Sequence, residues 1–351
     1  MKLKMKSLNC LILILSTLLF VSCEKKGPDS DINSVEASIK GDGVFIINEG
    51  IFMAGNGTLS FYSYSSGKIF NDIFSRVNGR PLGDVPNSMV IAGNTGYIAV
   101  NNSGKIEVVN KNTMQALKTI DGLISPRNIL LINSEKAYVS SLYSNSLTII
   151  DLQTNSVSGS VLLRHSSEAM VLSGTKAYVS SWSMGKEVMI INTTTDKVTD
   201  SIEVAPEPES MVLDRNNKLW VLCSGGYTGN NLADLIVVNT STDKIEKQFI
   251  FPSKQDYPSN LQINKTKDTL YYIDNGLMRM SIISSALPGK PFKQSGNRLI
   301  YKLGVDPRNG RIFYTDALDY QQKGFVLQLN PDGIPIDSCQ GDIIPGSFCF
   351  K

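Results

Sequence analysis

Residues 208–223, PESMVLDRNNKLWVLC, contain two short apolar runs separated by a polar turn, and this arrangement recurs along the chain. The first run follows a proline or serine and two variable residues. Its copies begin at Pro86, Pro126, Ser167, Pro208 and Pro258, with a degenerate copy near Leu303 and a last copy at Pro345. The second run follows most copies, as at residues 136–139 and 176–179, which both read KAYV. The chain is therefore built from repeats.

Two further runs complete each repeat. The third is apolar, such as LTIID at residues 147–151, and the fourth is polar, such as KVTDS at residues 197–201. Four antiparallel strands in a repeat of about 40–50 residues are typical of a β-propeller blade. The sequence therefore predicts an all-β fold.

The number of blades follows from counting the first run. It occurs seven times, yet the first β-run of the domain, GVFII at residues 43–47, has the pattern of a second strand. Residues 345–350 can supply the missing inner strand and remove an open sheet edge. A β-sandwich or an open array does not explain this arrangement. We expect a seven-bladed β-propeller over residues 42–351, closed by a C-terminal strand that completes the first blade.

The N-terminus has the pattern of a secretory signal. Lys2, Lys4 and Lys6 precede an apolar run at residues 11–21, which is shorter than the roughly 20 residues that span a bilayer. The following LFVSC at residues 19–23 resembles the bacterial lipobox.

This resemblance implies export across the inner membrane of a Gram-negative bacterium, with residues 1–22 as the signal peptide and Cys23 as the lipidated residue. An uncleaved anchor helix and an ordinary signal with an incidental cysteine are the alternatives. Residues 23–41 are polar, contain glycine and proline, and lack a period. They predict a flexible tether between the lipid and the domain.

Composition excludes several classes of function. Without the three leader lysines, 31 basic groups face 32 acidic groups, so there is no electrostatic footprint for nucleic acid. Cys223, Cys339 and Cys349 are odd in number and lack metal-ligand spacing, and a buried thiol is expected for Cys223. His165 is the only histidine, which excludes a histidine-rich metal site. No nucleophile elbow, calcium loop or phosphate-binding glycine motif is present. We expect a non-enzymatic protein without a metal, catalytic residue or cofactor.

Unusual side chains concentrate in one set of loops. In a propeller, the loops between second and third strands and those between blades open on the same face, which we call the mouth face. Aromatic rings there supply apolar area and amides fix orientation, which suits a large, partly flat ligand. Rings that merely cap the central channel are the alternative. The candidate ligand-binding residues are Asn48, Glu49, Asp84, Asn101, Arg127, Tyr143, Trp182, Tyr227, Asp256, Tyr257, Asn275, Asp319 and Tyr320.

The blade pattern resembles the YncE-type seven-bladed propellers. A narrower resemblance rests on segments such as LGDV at residues 82–85, VNNS at 100–103, GGY at 225–227, DALDYQQ at 316–322 and IIPGSF at 343–348. Together these resemble the surface lipoproteins of gut Bacteroidetes that capture vitamin B12.

That resemblance implies a propeller lipid-anchored at the outer membrane and exposed on the cell surface. It would bind cobalamin or a related corrinoid as a ligand and deliver it to a TonB-dependent outer-membrane transporter. A carbohydrate- or protein-binding lipoprotein on the same scaffold is the second hypothesis. A lactonase-like or quinoprotein-like enzyme is the third.

The lipid anchor can be tested directly. Replacing Cys23→Ala should move the protein from the membrane fraction to the soluble fraction, because each buried CH₂ of the lost acyl chains contributes about 0.8 kcal/mol to membrane binding. Fractionation with immunoblotting measures the change. A Cys23→Ala protein that remains in the membrane fraction would contradict lipidation at this residue.

Overall fold

The computed structural model describes residues 28–183, 185–226 and 228–351. Within them, seven four-stranded antiparallel sheets form a seven-bladed β-propeller, which confirms the predicted fold class. The predicted signal peptide, Cys23 and Tyr227 lie outside the described residues.

From the innermost to the outermost strand, the seven blades contain the following strands: blade 1, β28 (Pro345–Phe350), β1 (Gly43–Asn48), β2 (Thr58–Ser63) and β3 (Lys68–Phe70); blade 2, β4 (Pro86–Ala92), β5 (Thr95–Val100), β6 (Lys105–Asn110) and β7 (Ala116–Ile120); blade 3, β8 (Pro126–Leu131), β9 (Lys136–Ser141), β10 (Ser146–Asp151) and β11 (Ser156–Leu162); blade 4, β12 (Met170–Ser173), β13 (Lys176–Ser180), β14 (Glu187–Asn192) and β15 (Lys197–Glu203); blade 5, β16 (Pro208–Leu213), β17 (Lys218–Cys223), β18 (Asp234–Asn239) and β19 (Lys244–Ile250); blade 6, β20 (Ser259–Ile263), β21 (Thr269–Ile273), β22 (Gly276–Ser281) and β23 (Lys293–Gln294); blade 7, β24 (Ile300–Val305), β25 (Ile312–Asp316), β26 (Lys323–Leu329) and β27 (Pro335–Ile343).

The C-terminal strand closes the ring as predicted. β28 pairs antiparallel with β1, with Phe350 opposite Val44 and Phe348 opposite Ile46. The rings of Phe348 and Phe350 lie 5.8 and 5.7 Å from that of Phe313 in blade 7, measured between centroids. The same strand therefore completes blade 1 and packs against blade 7.

The hydrophobic core lies between neighbouring blades. Second and third strands such as β17 and β18 are almost wholly buried, whereas the outermost strand β19 buries only Phe249 along its exposed length. Between blades 5 and 6, Trp220 and Phe249 pack with Leu261 and Tyr272. Each blade interface has such a cluster because a sheet buried on both faces must pack against a sheet on each side.

Tyrosines of the second strands join consecutive blades. The Tyr97 hydroxyl donates to Asn155 Oδ1 at 2.6 Å, and the Tyr178 hydroxyl donates to Asp243 Oδ1 at 2.6 Å. Tyr138 donates in the same way to Asp196. In each case the acceptor lies in the turn before the outermost strand of the next blade. The repeated tyrosine of KAYV is therefore an inter-blade hydrogen-bond donor.

Part of the predicted tether is folded, which corrects the expectation for residues 28–41. Residues Pro28–Ser38 form helix α1, and the side chains of Val35 and Ile39 are fully buried. They pack with Phe74 and Val77 of helix α2 (Ile73–Asn78) beside the core of blades 1 and 2. Val35 and Ile39 are only two apolar positions, which is too few to reveal a helical period in a polar segment. They are nevertheless enough for a short helix to pack against an existing core.

Two smaller findings concern the membrane and the cysteines. No helix among the described residues is long and apolar enough to cross a membrane. Cys223, Cys339 and Cys349 are free thiols, and Cys223 is buried as expected.

Deleting residues 345–351 should destabilise the whole domain, because the deletion removes the inner strand of blade 1 and exposes its sheet edge. The deletion should lower the free energy of unfolding by several kcal/mol. Because each kcal/mol shifts the melting temperature by roughly 2–4 °C, we expect the melting temperature to fall by at least about 10 °C. Thermal unfolding followed by circular dichroism measures this. Ile336→Ala, on the exposed outermost strand β27, is the control and should melt like the wild type. An unchanged melting temperature after the deletion would contradict closure by β28.

Candidate functional site

The seven inner strands surround a central cavity of about 310 Å³. Its walls carry apolar side chains such as Met211 and Leu303 at the fourth position of the repeated motif. The residues just before them, at the second and third positions, are mostly polar. They include Asn87, Asn128, Glu168, Glu209, Asn260 and Lys302. The cavity therefore combines apolar walls with a ring of polar groups near the mouth face.

A paired charge joins blades 3 and 4 at this ring. Arg127 Nε and Nη2 donate to the two carboxylate oxygens of Glu168 at 2.8 and 2.9 Å. Burial alone would lower the pKa of Arg127, but the Glu168 carboxylate raises it, and Glu49 acts in the same direction. The guanidinium carbon lies 6.0 Å from the centroid of the half-buried Trp182 ring. Arg127 is thus a fixed cation at the mouth, contacting an aromatic ring.

A second cluster joins blades 7 and 1. The Tyr301 hydroxyl lies 2.9 and 3.0 Å from the two carboxylate oxygens of Glu49. The ring of Tyr320 meets that of Tyr301 edge-on, at 5.6 Å between centroids and 88° between planes. Burial and the Glu49 charge raise the pKa of Tyr301, so its hydroxyl stays protonated. Gly346 is needed beside this cluster, because a Cβ there would lie 2.7 Å from Glu49 Oε1.

Blades 5 and 7 add a carboxyl group, Glu209, and an amine, Lys302, to the same ring. The backbone N–H of Asn260 donates to Glu209 Oε2 at 2.9 Å. Burial raises the pKa of Glu209, while the positive charge of Lys302 acts against this rise. Lys302 Nζ lies 5.0 Å from the centroid of the Tyr301 ring.

Several predicted ligand-binding residues form hydrogen bonds within blade 1 or between the mouth-face loops. Asn48 is 1 % exposed and donates to Ser60 Oγ at 2.8 Å, so it lies inside blade 1. Asn101 is buried and donates to Ser125 Oγ at 2.8 Å. Asp84 Oδ2 accepts from the backbone N–H of Met53 at 3.0 Å and from Asn102 at 2.5 Å. These three residues position the mouth loops. Asn48 and Asn101 have little or no surface to offer a ligand, whereas Asp84 is partly exposed.

The remaining predicted residues lie at different places on the mouth face. Asp319 accepts from the side chain of Gln322 and from the backbone N–H groups of Gln322 and Gln321, which lowers its pKa to about 2. It therefore stabilises the turn that carries Tyr320. Tyr143 is largely exposed on the loop after β9. Asp256 and Asn275 line a separate cavity between blades 5 and 6 that shares no lining residue with the central cavity, and Tyr257 is exposed in the loop between these blades.

Large apolar side chains are also exposed in the mouth-face loops. They come from both kinds of loop and from most blades. They are Phe52, Met53, Ile124, Tyr143, Leu232, Tyr257, Leu299, Leu318 and Tyr320. The concentration of these side chains on one face favours an interaction surface there. Among the described residues, no group of three or more His, Cys, Asp or Glu side chains could hold a metal ion.

Four polar residues of the ring were not among the predicted ligand-binding residues: Glu168, Glu209, Tyr301 and Lys302. A signal for them was present, because they occupy the second or third position of the repeated motif, where residues vary between blades. Loops usually carry function, and Arg127 is the one predicted ligand-binding residue that lies on an inner strand.

Fold and site together define a seven-bladed β-propeller with a polar cavity and an apolar rim on one face. The chain belongs to the family described as Domain of unknown function (DUF5074), whose model matches residues 42–317. No curated protein matches the sequence.

Solved structures share the fold at low sequence identity. A quinonprotein alcohol dehydrogenase-like protein from Bacteroides thetaiotaomicron superposes with a TM-score of 0.70 at 13% identity, over 89% of this chain and 79% of that one. Hydrazine synthase from Kuenenia stuttgartiensis gives 0.60 at 12% identity, over 75% and 89% of the two chains. The β-propeller domain of Cps50 (Swd1) from Myceliophteria thermophila gives 0.58 at 11%, over 75% and 88%. At these identities the likeness extends to the fold alone.

The Arg127–Glu168 pair should contribute to stability. Glu168→Gln leaves the buried guanidinium without its counter-charge, and removing one partner of a buried pair costs about 3 kcal/mol. Chemical denaturation measures the change. Glu203→Gln removes the same charge from the exposed Lys186–Glu203 pair and should leave the unfolding midpoint unchanged. Equal midpoints for wild type and Glu168→Gln would contradict a structural role for the pair.

Proposed function

We propose that this protein is a lipid-anchored binding protein of the outer membrane that captures cobalamin or a related corrinoid on the mouth face. The observation that carries the proposal is the exposed apolar rim around a polar cavity on that face. The choice of cobalamin rests on the sequence resemblance to vitamin B12-capturing lipoproteins.

The size of the cavity favours a ligand that lies across the mouth. A volume of about 310 Å³ is at the lower end of the range for drug-sized ligands, about 300–1,000 Å³. A corrinoid is larger than such ligands, so only one of its substituents could enter the cavity. The flat ring would contact Trp182, Tyr320 and the neighbouring apolar side chains.

The polar groups at the mouth suit amide-rich ligand edges. Trp182 Nε1 is buried and lacks a hydrogen-bond partner among the described residues, so it is a donor still to be satisfied. Asn87, Asn128 and Asn260 line the cavity and offer both donors and acceptors.

Binding without catalysis is part of the proposal. Arg127 is held by Glu168, and the raised pKa values of Arg127 and Tyr301 keep both groups protonated at neutral pH, so neither acts as a general base. A corrinoid incubated with the protein should therefore be recovered unchanged.

A TonB-dependent transporter is the proposed recipient of the ligand, again from the sequence resemblance. Exposed apolar side chains of the mouth face such as Phe52 and Met53 would be available to contact a second protein around a bound ligand.

Truncating an aromatic ring at the mouth should weaken cobalamin binding. Burial of roughly 100 Å² against the ligand at about 25 cal/mol per Å² corresponds to about 2.5 kcal/mol, or nearly two decades in affinity. We expect Tyr320→Ala and Trp182→Ala to raise Kd for cyanocobalamin ten- to a hundredfold. Calorimetry and the visible spectrum of the ligand measure this in the detergent-solubilised protein.

Ile283→Ala is the matched control, because Ile283 is 80 % exposed in the loop that starts on the opposite face. It should bind like the wild type, and melting curves must show that each variant is folded. Neither heat nor a spectral change at high micromolar cyanocobalamin would contradict the cobalamin proposal. The same titration with glycans would then test the carbohydrate-binding alternative.

A further inference from the structure

A second cavity lies at the outer edge of the mouth face between blades 5 and 6. Its volume is about 340 Å³, and it shares no lining residue with the central cavity. Its walls are the chain after β19, the turn between β21 and β22, and residues 287–291, which precede β23. We call it the rim pocket.

Two carboxylates face the rim pocket without a counter-charge. Within the part of the chain that the structure describes, neither Asp256 nor Asp274 forms an ion pair within 4.0 Å. Burial raises the pKa of Asp274, and the negative charge of Asp256 raises it further. Lys290 also lines the pocket, but its side chain is exposed. The pocket therefore holds two like charges that a bound cation would stabilise.

A tyrosine hydroxyl gives an independent indication of a ligand. Tyr272 lines the rim pocket and is fully buried, and its hydroxyl has no hydrogen-bond partner among the described residues. A buried polar group without a partner costs about 1–3 kcal/mol, so its retention calls for an explanation. A ligand in the pocket could accept its hydrogen bond or donate one to it.

The other walls are apolar and firmly placed. Phe251 meets the Tyr272 ring edge-on at 5.9 Å between centroids, and Met278 and Leu287 lie beside them. Gly276 allows the wall to close, because a Cβ there would lie 2.7 Å from the Lys293 carbonyl oxygen and 2.9 Å from Pro291 Cβ. The apolar surface suits a hydrocarbon stem beside the charged group.

We propose that the rim pocket binds an organic cation, an alkylammonium group whose charge lies between Asp256 and Asp274. The ammonium group donates a hydrogen bond to the Tyr272 hydroxyl oxygen, and the alkyl stem of the ligand packs on Phe251 and Met278. The site is independent of the corrinoid proposal. The same chemistry is offered by a free amine and by the lysine side chain of a partner protein.

Saturation-transfer NMR titrations of the full-length protein in detergent test the site. The probes are n-butylamine as the free amine and n-butanol as its neutral counterpart. Nα-acetyl-lysine amide (called N-acetyl-lysine amide below) represents the lysine side chain of a protein. We expect both amines to bind and butanol not to bind. Tighter binding of N-acetyl-lysine amide assigns the site to a partner protein, and tighter binding of butylamine assigns it to a free amine.

Variants separate a ligand site from a structural role. Asp274→Asn should weaken amine binding at least tenfold and leave the melting temperature equal or higher, because it removes one of two like charges. Tyr272→Phe should weaken binding about fivefold, also without loss of stability. Asp332→Asn makes the same charge change in the exposed turn before β27 and should bind like the wild type.

Three results would overturn the proposal. These are no binding of either amine to the wild type, equal binding of butanol, and binding that is unaffected by Asp274→Asn. A lower melting temperature for Asp274→Asn would also overturn it, because it would show that the carboxylate serves the fold.

Discussion

The pairing of β28 with β1 is the interaction on which the rest of the structure depends. Every other blade takes its four strands from one continuous segment, whereas blade 1 joins residues 43–70 to residues 345–350. The backbones of Gly43 and Lys351 bond to each other at one end of this pairing. At the other end, Gly346 leaves room for the Glu49 carboxylate, which accepts from Tyr301 of blade 7. Ring closure therefore also assembles part of the mouth.

Much of the fold could be predicted from sequence because the residues that recur in every blade are those that the fold requires. The proline or serine at or just before the start of most inner strands recurs, as does the apolar residue three positions later, and they were enough to count blades and to find the closing strand. The polar ring at the mouth could not be found in the same way. Glu168, Glu209 and Tyr301 lie where the repeat varies between blades, so similarity between blades does not reveal them. Their proximity follows only from the geometry of the ring, which brings seven distant positions to one opening.

The turns on the opposite face show a related limit. Asp196 and Asp243 occupy left-handed turn positions, with φ of 54° and 55°, and aspartate suits such positions. Each also accepts a hydrogen bond from the tyrosine of the preceding blade and forms an ion pair with its lysine. The partners are about sixty residues apart, since Tyr138 pairs with Asp196. Local turn chemistry explains why aspartate is suitable there, and only the packing of blades explains its second role.

The two cavities of the mouth face differ in how their charges are balanced. In the central cavity, Arg127 and Glu168 neutralise each other, so this part of the site costs the fold little. In the rim pocket, Asp256 accepts from the backbone N–H of Ser253 and Asp274 from the side chain of Asn275, but neither carboxylate has an ion-pair partner among the described residues. The Tyr272 hydroxyl has no hydrogen-bond partner among these residues, so the surrounding packing must hold these groups in place. The interface of blades 5 and 6 provides this packing, since Trp220, Phe249 and Phe251 are all buried within it. Unbalanced polar groups persist where a strong core supports them and a ligand can complete them. A propeller suits this arrangement because each blade interface has its own core, so one interface can carry a destabilising site while the others maintain the ring.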